Sequence, residues 1–324
     1  MVVFIHVSSI PVSQLQKDSL QYLVVMLPWR LSAFVVQGFI FLSGLKFFMK
    51  GTDNFSFVPF IKKRVKTILL PYIIWTAVYY LYYCYIGYFP FDIKALCGYI
   101  LNGSIVSPFY FIIAIFQFYL LMPLWIRIFK AVDKRIVLVL SFVIMVLAKK
   151  YLPLVFPNFA YHDRIFITYI FYWILGCYAG LDYGKFKNFA IKYIPVETVV
   201  FVVLALADGI LSYNVFAKDF VFNQLENLHL LYCISAIMFL FGLFSILCKN
   251  GFNMNKILKN IDSSSFYIYL SHCFVMNIVN RKMTQIGMTS IGKMYIVRIL
   301  SVYIITSVLC ILYLNIKKKF IKRR

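Results

Sequence analysis

The chain has 324 residues, 63% of them hydrophobic and only 14% charged, with a mean hydropathy of +0.84. Soluble domains average roughly 45–50% apolar and 25% charged residues, so composition excludes a soluble globular protein. The net charge of +22 lies in short basic clusters between apolar runs, which argues against a nucleic-acid partner and for the positive-inside pattern of a multispanning membrane protein.

A spanning helix needs roughly 20 apolar residues. The first apolar stretch, Met1–Ile10, supplies about half of that and carries His6, a titratable side chain in an apolar setting. Full-length candidates follow at Leu31–Met49, Ile68–Tyr88, Pro108–Ile126, Ile136–Leu152 and Ile165–Leu181. Four more lie at Ile194–Tyr213, Leu228–Leu247, Ser263–Asn280 and Met294–Ile316. The expected fold is an all-α polytopic bundle of about ten transmembrane helices, the first one truncated, forming a single domain over residues 1–324. The loops are too short to fold separately, and no internal repeat or low-complexity segment interrupts the chain. Tyr79, Tyr80, Tyr82, Tyr83 and Tyr85 crowd one end of the second full span, as an interfacial girdle or as a sugar-stacking platform.

Charge sets the expected orientation. Basic clusters at Lys46–Lys66, Arg127–Arg135, Lys185–Lys192, Lys249–Lys259 and Lys317–Arg324 fall on alternate loops. Placed inside, they put both termini in the cytoplasm and His6 in the outer half of an outward-running helix of the cell membrane. The seven cysteines are scattered without CxxC spacing and read as small buried hydrophobes, not as zinc ligands.

Four motifs recur in a fixed order. VVFIHVSS surrounds His6. FVVQGFIFLSGLKFF holds Ser43 and Gly44 and is followed by FIKKRVKTILLPY, with Arg64 and Pro71. SPFYFIIAIFQFYLLMPLW holds Tyr119 and Pro123. FYWILGCYAGL and SSFYIYLSHCFV come last, with Tyr269 and His272 in the latter. Singly, each has an ordinary reading: close packing at Ser43-Gly44, kinks at Pro71 and Pro123, topology signals at Lys62, Lys63, Arg64 and Lys66. Together the order resembles the acyltransferase family 3 membrane proteins, which O-acylate surface polysaccharides and lipid-linked glycans.

The chain departs from that pattern in three places. The arginine usual eleven positions before the first histidine would precede Met1, which predicts a start upstream of the one given. Thr67 stands where a second arginine of an RxxR motif is expected, and Tyr110 where a tryptophan is usual. Lys63 and Lys66 leave charge beside Arg64, though lysine does not reproduce arginine's bidentate grip on phosphate.

The resemblance implies an O-acetyl or related acyl transfer from cytoplasmic acetyl-CoA or another acyl-CoA, with no permanently bound cofactor and no metal. Such a transfer needs a base for the acceptor hydroxyl, and imidazole suits neutral pH. His6 is the first candidate, with a hydrogen-bonded core histidine as its alternative. His272 is the second, either in the reaction chamber or as a polar link between helices. Lys63, Arg64 and Lys66 would meet the donor's phosphates. Ser43 is a candidate for substrate contact or acyl carriage. Asp208 and Arg298 either pair, line an acceptor cleft or snorkel to the interface. His162-Asp163-Arg164 and Glu226 with His229 are solvated loop groups or acceptor contacts. Expected partners are membrane lipids, a surface polysaccharide or lipid-linked glycan, and glycan synthesis or export proteins. A transporter or flippase for lipid-linked saccharides, or an inactive subunit of a glycan-export complex, stays open beside the enzyme.

Overall fold

The computed structural model describes residues 1–322. Arg323 and Arg324 of the basic tail lie outside the described residues, as do the side chains of Lys318 and Lys322. In chain order the α-helices are α1 (Val2–Gln14), α2 (Leu20–Leu31), α3 (Val35–Phe48), α4 (Phe57–Arg64) and α5 (Leu70–Tyr85). Next come α6 (Ile93–Asn102), α7 (Tyr110–Leu120), α8 (Met122–Ala131), α9 (Lys134–Val155) and α10 (Ile170–Leu181). The last five are α11 (Tyr183–Lys192), α12 (Ile194–Ala217), α13 (Leu225–Lys249), α14 (Lys256–Gln285) and α15 (Ile291–Lys322). No strand occurs among the described residues. The all-α polytopic fold is therefore as expected.

Among the described residues, six stretches are long and apolar enough to cross a membrane: Leu20–Phe48, Phe57–Tyr85, Lys134–Val155, Ile194–Ala217, Leu225–Lys249 and Ile291–Lys317. A seventh arises if Ile93–Asn102 and Ser107–Leu120, bent by 58°, count as one broken span. By length and composition the expected ten are not reached, and the differences have local causes. The first full span begins at Leu20, not Leu31, because Ser19 caps α2 by accepting from the Tyr22 amide. The Pro108–Ile126 stretch divides at Leu121, with Pro123 in the first turn of α8, where its missing N–H costs nothing. Ser263–Asn280 lies inside the 30-residue α14, whose serines, histidine and asparagines keep it out of the apolar set. Ile165–Leu181 forms the shorter apolar run Phe166–Leu181.

The chain gathers into two compact units. One contains Met1–Val35 together with the chain from Pro195 on; the other contains Val36–Ile194. In the first, α1 packs against α2, α14 and α15, and α14 and α15 form a long hairpin. Val3 and Val7, one turn apart on α1, meet Val275 of α14 and Val302 of α15 in its core.

In the second unit, α3 and α10 approach backbone to backbone. A Cβ added at Gly176 would lie 2.1 Å from the Phe41 carbonyl oxygen, and one at Gly180 would lie 2.6 Å from that of Leu45. Gly44 returns the contact, its virtual Cβ 2.7 Å from the Trp173 carbonyl. Small residues permit this approach, which is how helices gain packing energy in lipid. Between α4 and α5 the chain makes one π-helical stretch, Val65–Leu69. Pro71 lacks an N–H and its ring would crowd the Thr67 carbonyl, so the wider turn just before it relieves the clash.

Candidate active site: a histidine pair inside the helical bundle

His6 sits on α1, one turn after Val3 and beside Val7, so the contacts that bury those valines carry the imidazole to α14. There it meets His272, with ring centroids 5.4 Å apart and planes inclined at 40°. His272 is fully buried. Its Nδ1 lies 2.7 Å from the Tyr269 carbonyl oxygen and 3.2 Å from that of Ile268. Carbonyls only accept, so Nδ1 carries the proton and donates, which leaves Nε2 with a lone pair. The Cys273 thiol lies 3.4 Å from that Nε2. His6 is only partly buried, and no hydrogen bond holds its ring among the described residues. The pair thus combines one imidazole fixed in orientation and tautomer with one that is less restrained.

Polar groups continue along α14 and α15. The Ser8 and Tyr295 hydroxyls are 2.9 Å apart. Arg298, only 2% exposed, donates from Nε to Asn280 Oδ1 at 2.6 Å. Asn280 lies eight residues beyond His272 on the same helix, a rise of about 12 Å.

Of the alternatives open for Asp208 and Arg298, direct pairing does not form. Asp208, fully buried on α12, holds Arg30 of α2 at 3.3 Å and His229 Nδ1 of α13 at 2.7 Å. Arg30 also reaches Glu226 at 3.1 Å. Neither Asp208 nor Arg298 snorkels, because each finds a polar partner inside the protein, which costs less than reaching the interface from a packed helix face. Arg30 was missed by sequence reasoning. Its only signal is a lone guanidinium in Leu20–Leu31, a stretch that Pro28 and Gln21 make look like a loop.

The basic patch lies in the other unit. Lys63 and Lys66 are exposed. Arg64 instead stacks its guanidinium over Phe60, 5.1 Å from the ring centroid, and over Tyr119, 4.7 Å away. Its Nε is buried without a hydrogen-bond partner. Phe60 packs in turn against Phe47 and Phe55. Those two rings line a pocket of about 370 Å³ with Lys50, Gly51, Asp53, Asn54 and Ser56. Ser43 spends its hydroxyl on the Phe39 carbonyl, 2.8 Å away within α3. Among the described residues no cluster of three or more His, Cys, Asp or Glu could hold a metal ion.

A family profile described as "Acyltransferase domain" matches residues 1–315. A Staphylococcus aureus (strain MRSA252) protein named "Probable poly-beta-1,6-N-acetyl-D-glucosamine export protein" is 29% identical over 238 residues, 67% of this chain and 62% of that protein. A Staphylococcus epidermidis protein of the same name is 27% identical over 179 residues, 52% of this chain and 48% of its own length. The chain thus spans about three fifths of the length of the Staphylococcus aureus relative. No solved structure matches.

Proposed function

Since the chain belongs to the acyltransferase domain family, we propose that this multi-pass membrane protein acts, over residues 1–324 as one domain, as an O-acyltransferase. It moves an acyl group, acetyl in the simplest case, from a cytoplasmic acyl-CoA to a hydroxyl of an extracytoplasmic polysaccharide or lipid-linked glycan. The observation that carries the reading is the meeting of His6 and His272, from opposite ends of the chain, at 5.4 Å inside the bundle.

The transfer makes one ester bond and breaks one thioester bond, and the acceptor hydroxyl must lose its proton as its oxygen attacks. His272 Nε2 is the better-defined base, because the Tyr269 carbonyl holds its ring and tautomer. His6, 5.4 Å away and free to reorient, can take the proton onward or hand it to the leaving thiolate. Two imidazolium ions this close would repel each other, so at most one ring of the pair is positively charged at a time. Positioned acid–base groups of this kind contribute about 10²–10⁴-fold.

The donor's phosphates are proposed to bind Lys63, Arg64 and Lys66. The arginine's unpaired Nε and its support by Phe60 and Tyr119 favour this role. With the basic loops and both termini in the cytoplasm, the acceptor approaches from the opposite end of α14 and α15, past Asn280 and Arg298. The partners are then membrane lipids, the glycan and the proteins that make or export it. The test is labelled acetyl-CoA with membranes carrying the wild type or His272→Ala, followed by mass analysis of the glycan. Undiminished acylation by the variant at equal abundance would remove the pair from the chemistry.

The names of the relatives favour a second reading, polysaccharide export. Purified protein that moves the glycan across liposomes without consuming an acyl donor would support it against the transferase.

A further inference from the structure

The Arg30–Asp208–His229 cluster is a separate matter from the histidine pair. We propose that it is a saccharide subsite, in which the closed Asp208 carboxylate positions Arg30 and His229, His229 Nε2 accepts a hydrogen bond from an acceptor hydroxyl and Arg30 donates to sugar oxygens. The inference rests on the acyltransferase reading and adds to it where the glycan is gripped.

Three observations carry it. The first is the dyad itself. The buried Asp208 carboxylate accepts from His229 Nδ1 at 2.7 Å, which directs the imidazole Nε2 away as an acceptor. The second is the polar atoms left over on the two helices that the Arg30–Asp208 contact joins. Trp29 Nε1, Arg30 Nε and Ser212 Oγ are all buried without a partner, and Ser212 itself is 0% exposed. A purely structural ion pair in a bundle is expected to be satisfied throughout, because buried polar groups nearly always are. Ser212 falls between Asp208 and Phe216 on one stripe of α12, and both of those neighbours touch Arg30. The orphaned hydroxyl therefore lies along the arginine's own path.

The third is the company of rings and the gradient of exposure. Phe216 lies 5.8 Å from the guanidinium, and Tyr213 packs on Tyr22 beside it. Donors, acceptors and ring faces side by side are what a polyhydroxylated ligand needs, since a sugar presents hydroxyls at its rim and C–H groups on its faces. Glu226, 74% exposed, sits one turn from His229 on α13 and reaches back to Arg30. The cluster thus runs from an open carboxylate to a closed one.

The experiment measures initial rates with purified full-length protein, acetyl-CoA as donor, and a β-1,6-linked N-acetylglucosamine oligomer as the acceptor probe. Asp208→Asn and His229→Gln keep the side-chain shapes. Each is expected to raise the acceptor KM by roughly 10–100-fold while the donor KM stays at its wild-type value. Glu226→Gln, on a side chain 74% exposed, is expected to raise it by a few fold. Unchanged acceptor KM in all three, with only thermal stability lowered, would overturn the subsite and leave an interhelical latch. If the wild type acylates nothing, the transferase reading falls by itself. Equilibrium binding of the same oligomer then decides: binding weakened by His229→Gln supports the subsite, and binding equal to wild type overturns it.

Discussion

The two compact units bury different chemistry. Every Asp, Arg and His side chain buried among the described residues, namely Arg30, Asp208, His229, His272 and Arg298, belongs to the unit built from Met1–Val35 and the chain beyond Pro195. Apart from tyrosines, tryptophans and Cys177, the unit of Val36–Ile194 buries only Thr76, Ser141 and Thr168 among the polar side chains of those residues, and closes around glycine contacts and aromatic rings such as Phe118 stacked on Trp173 at 4.8 Å. Ionisable groups in a membrane bundle are expensive, so their segregation places the proposed chemistry in that unit. The other unit keeps Lys62, Lys63 and Lys66 exposed near the end of α4 and leaves only the Nε of the half-buried Arg64 out of reach of a hydrogen-bond partner.

The contrast can be broken first at the histidines. His272→Ala is expected to lower acyl transfer by about 10²–10⁴-fold at normal membrane abundance, and His6→Ala by a similar or smaller factor. Labelled acyl transfer to the glycan reads both; a wild-type rate in either variant would leave that histidine a packing residue. Gly176→Ala probes the other unit and should do the reverse. Its new methyl meets the Phe41 carbonyl at 2.1 Å, so α3 and α10 must separate at a cost of about 1–3 kcal/mol. A lowered unfolding temperature with catalysis per folded molecule intact is the expected signature.

Arg64→Lys sharpens the division between donor and acceptor. A point charge cannot lie flat on Phe60 and Tyr119, so the donor KM is expected to rise roughly tenfold with the acceptor KM unchanged. The smallest effect is at Ser43→Ala. Its hydroxyl bonds only the Phe39 carbonyl of its own helix, so stability should move by no more than about 0.5 kcal/mol. A large loss of activity there would bring catalysis into the unit assigned to packing and donor contact.

Part of the candidate site is legible in the sequence. His6 and His272 stood out as titratable groups in apolar runs, and Ser43-Gly44 read as a close-packing site, which Gly44 proves to be. Helix starts were less legible, because they turned on caps such as Ser19, whose effect is confined to one turn. Arg30 was invisible because a single guanidinium near Pro28 looks like the edge of a span when its partner is far off in sequence. Asp208 and Arg298 read from sequence as costly groups with three alternatives, pairing, an acceptor cleft or snorkelling, and the choice among them turns on azimuth about the helix, which hydropathy does not give.

By itself the sequence determined the bundle, because 63% hydrophobic residues in long runs with clustered positive charge have no other low-energy solution than helices in a membrane. It also determined the family, through short motifs in a fixed order. Only the tertiary structure decided which ionisable groups face one another: His6 with His272, and Asp208 with Arg30 and His229. The reason is geometric. Hydropathy fixes the depth of a residue along a helix to within a turn, but contact depends on how each helix is rotated about its axis. That rotation is set by packing, here by Val3 and Val7 on α1, which no local pattern encodes.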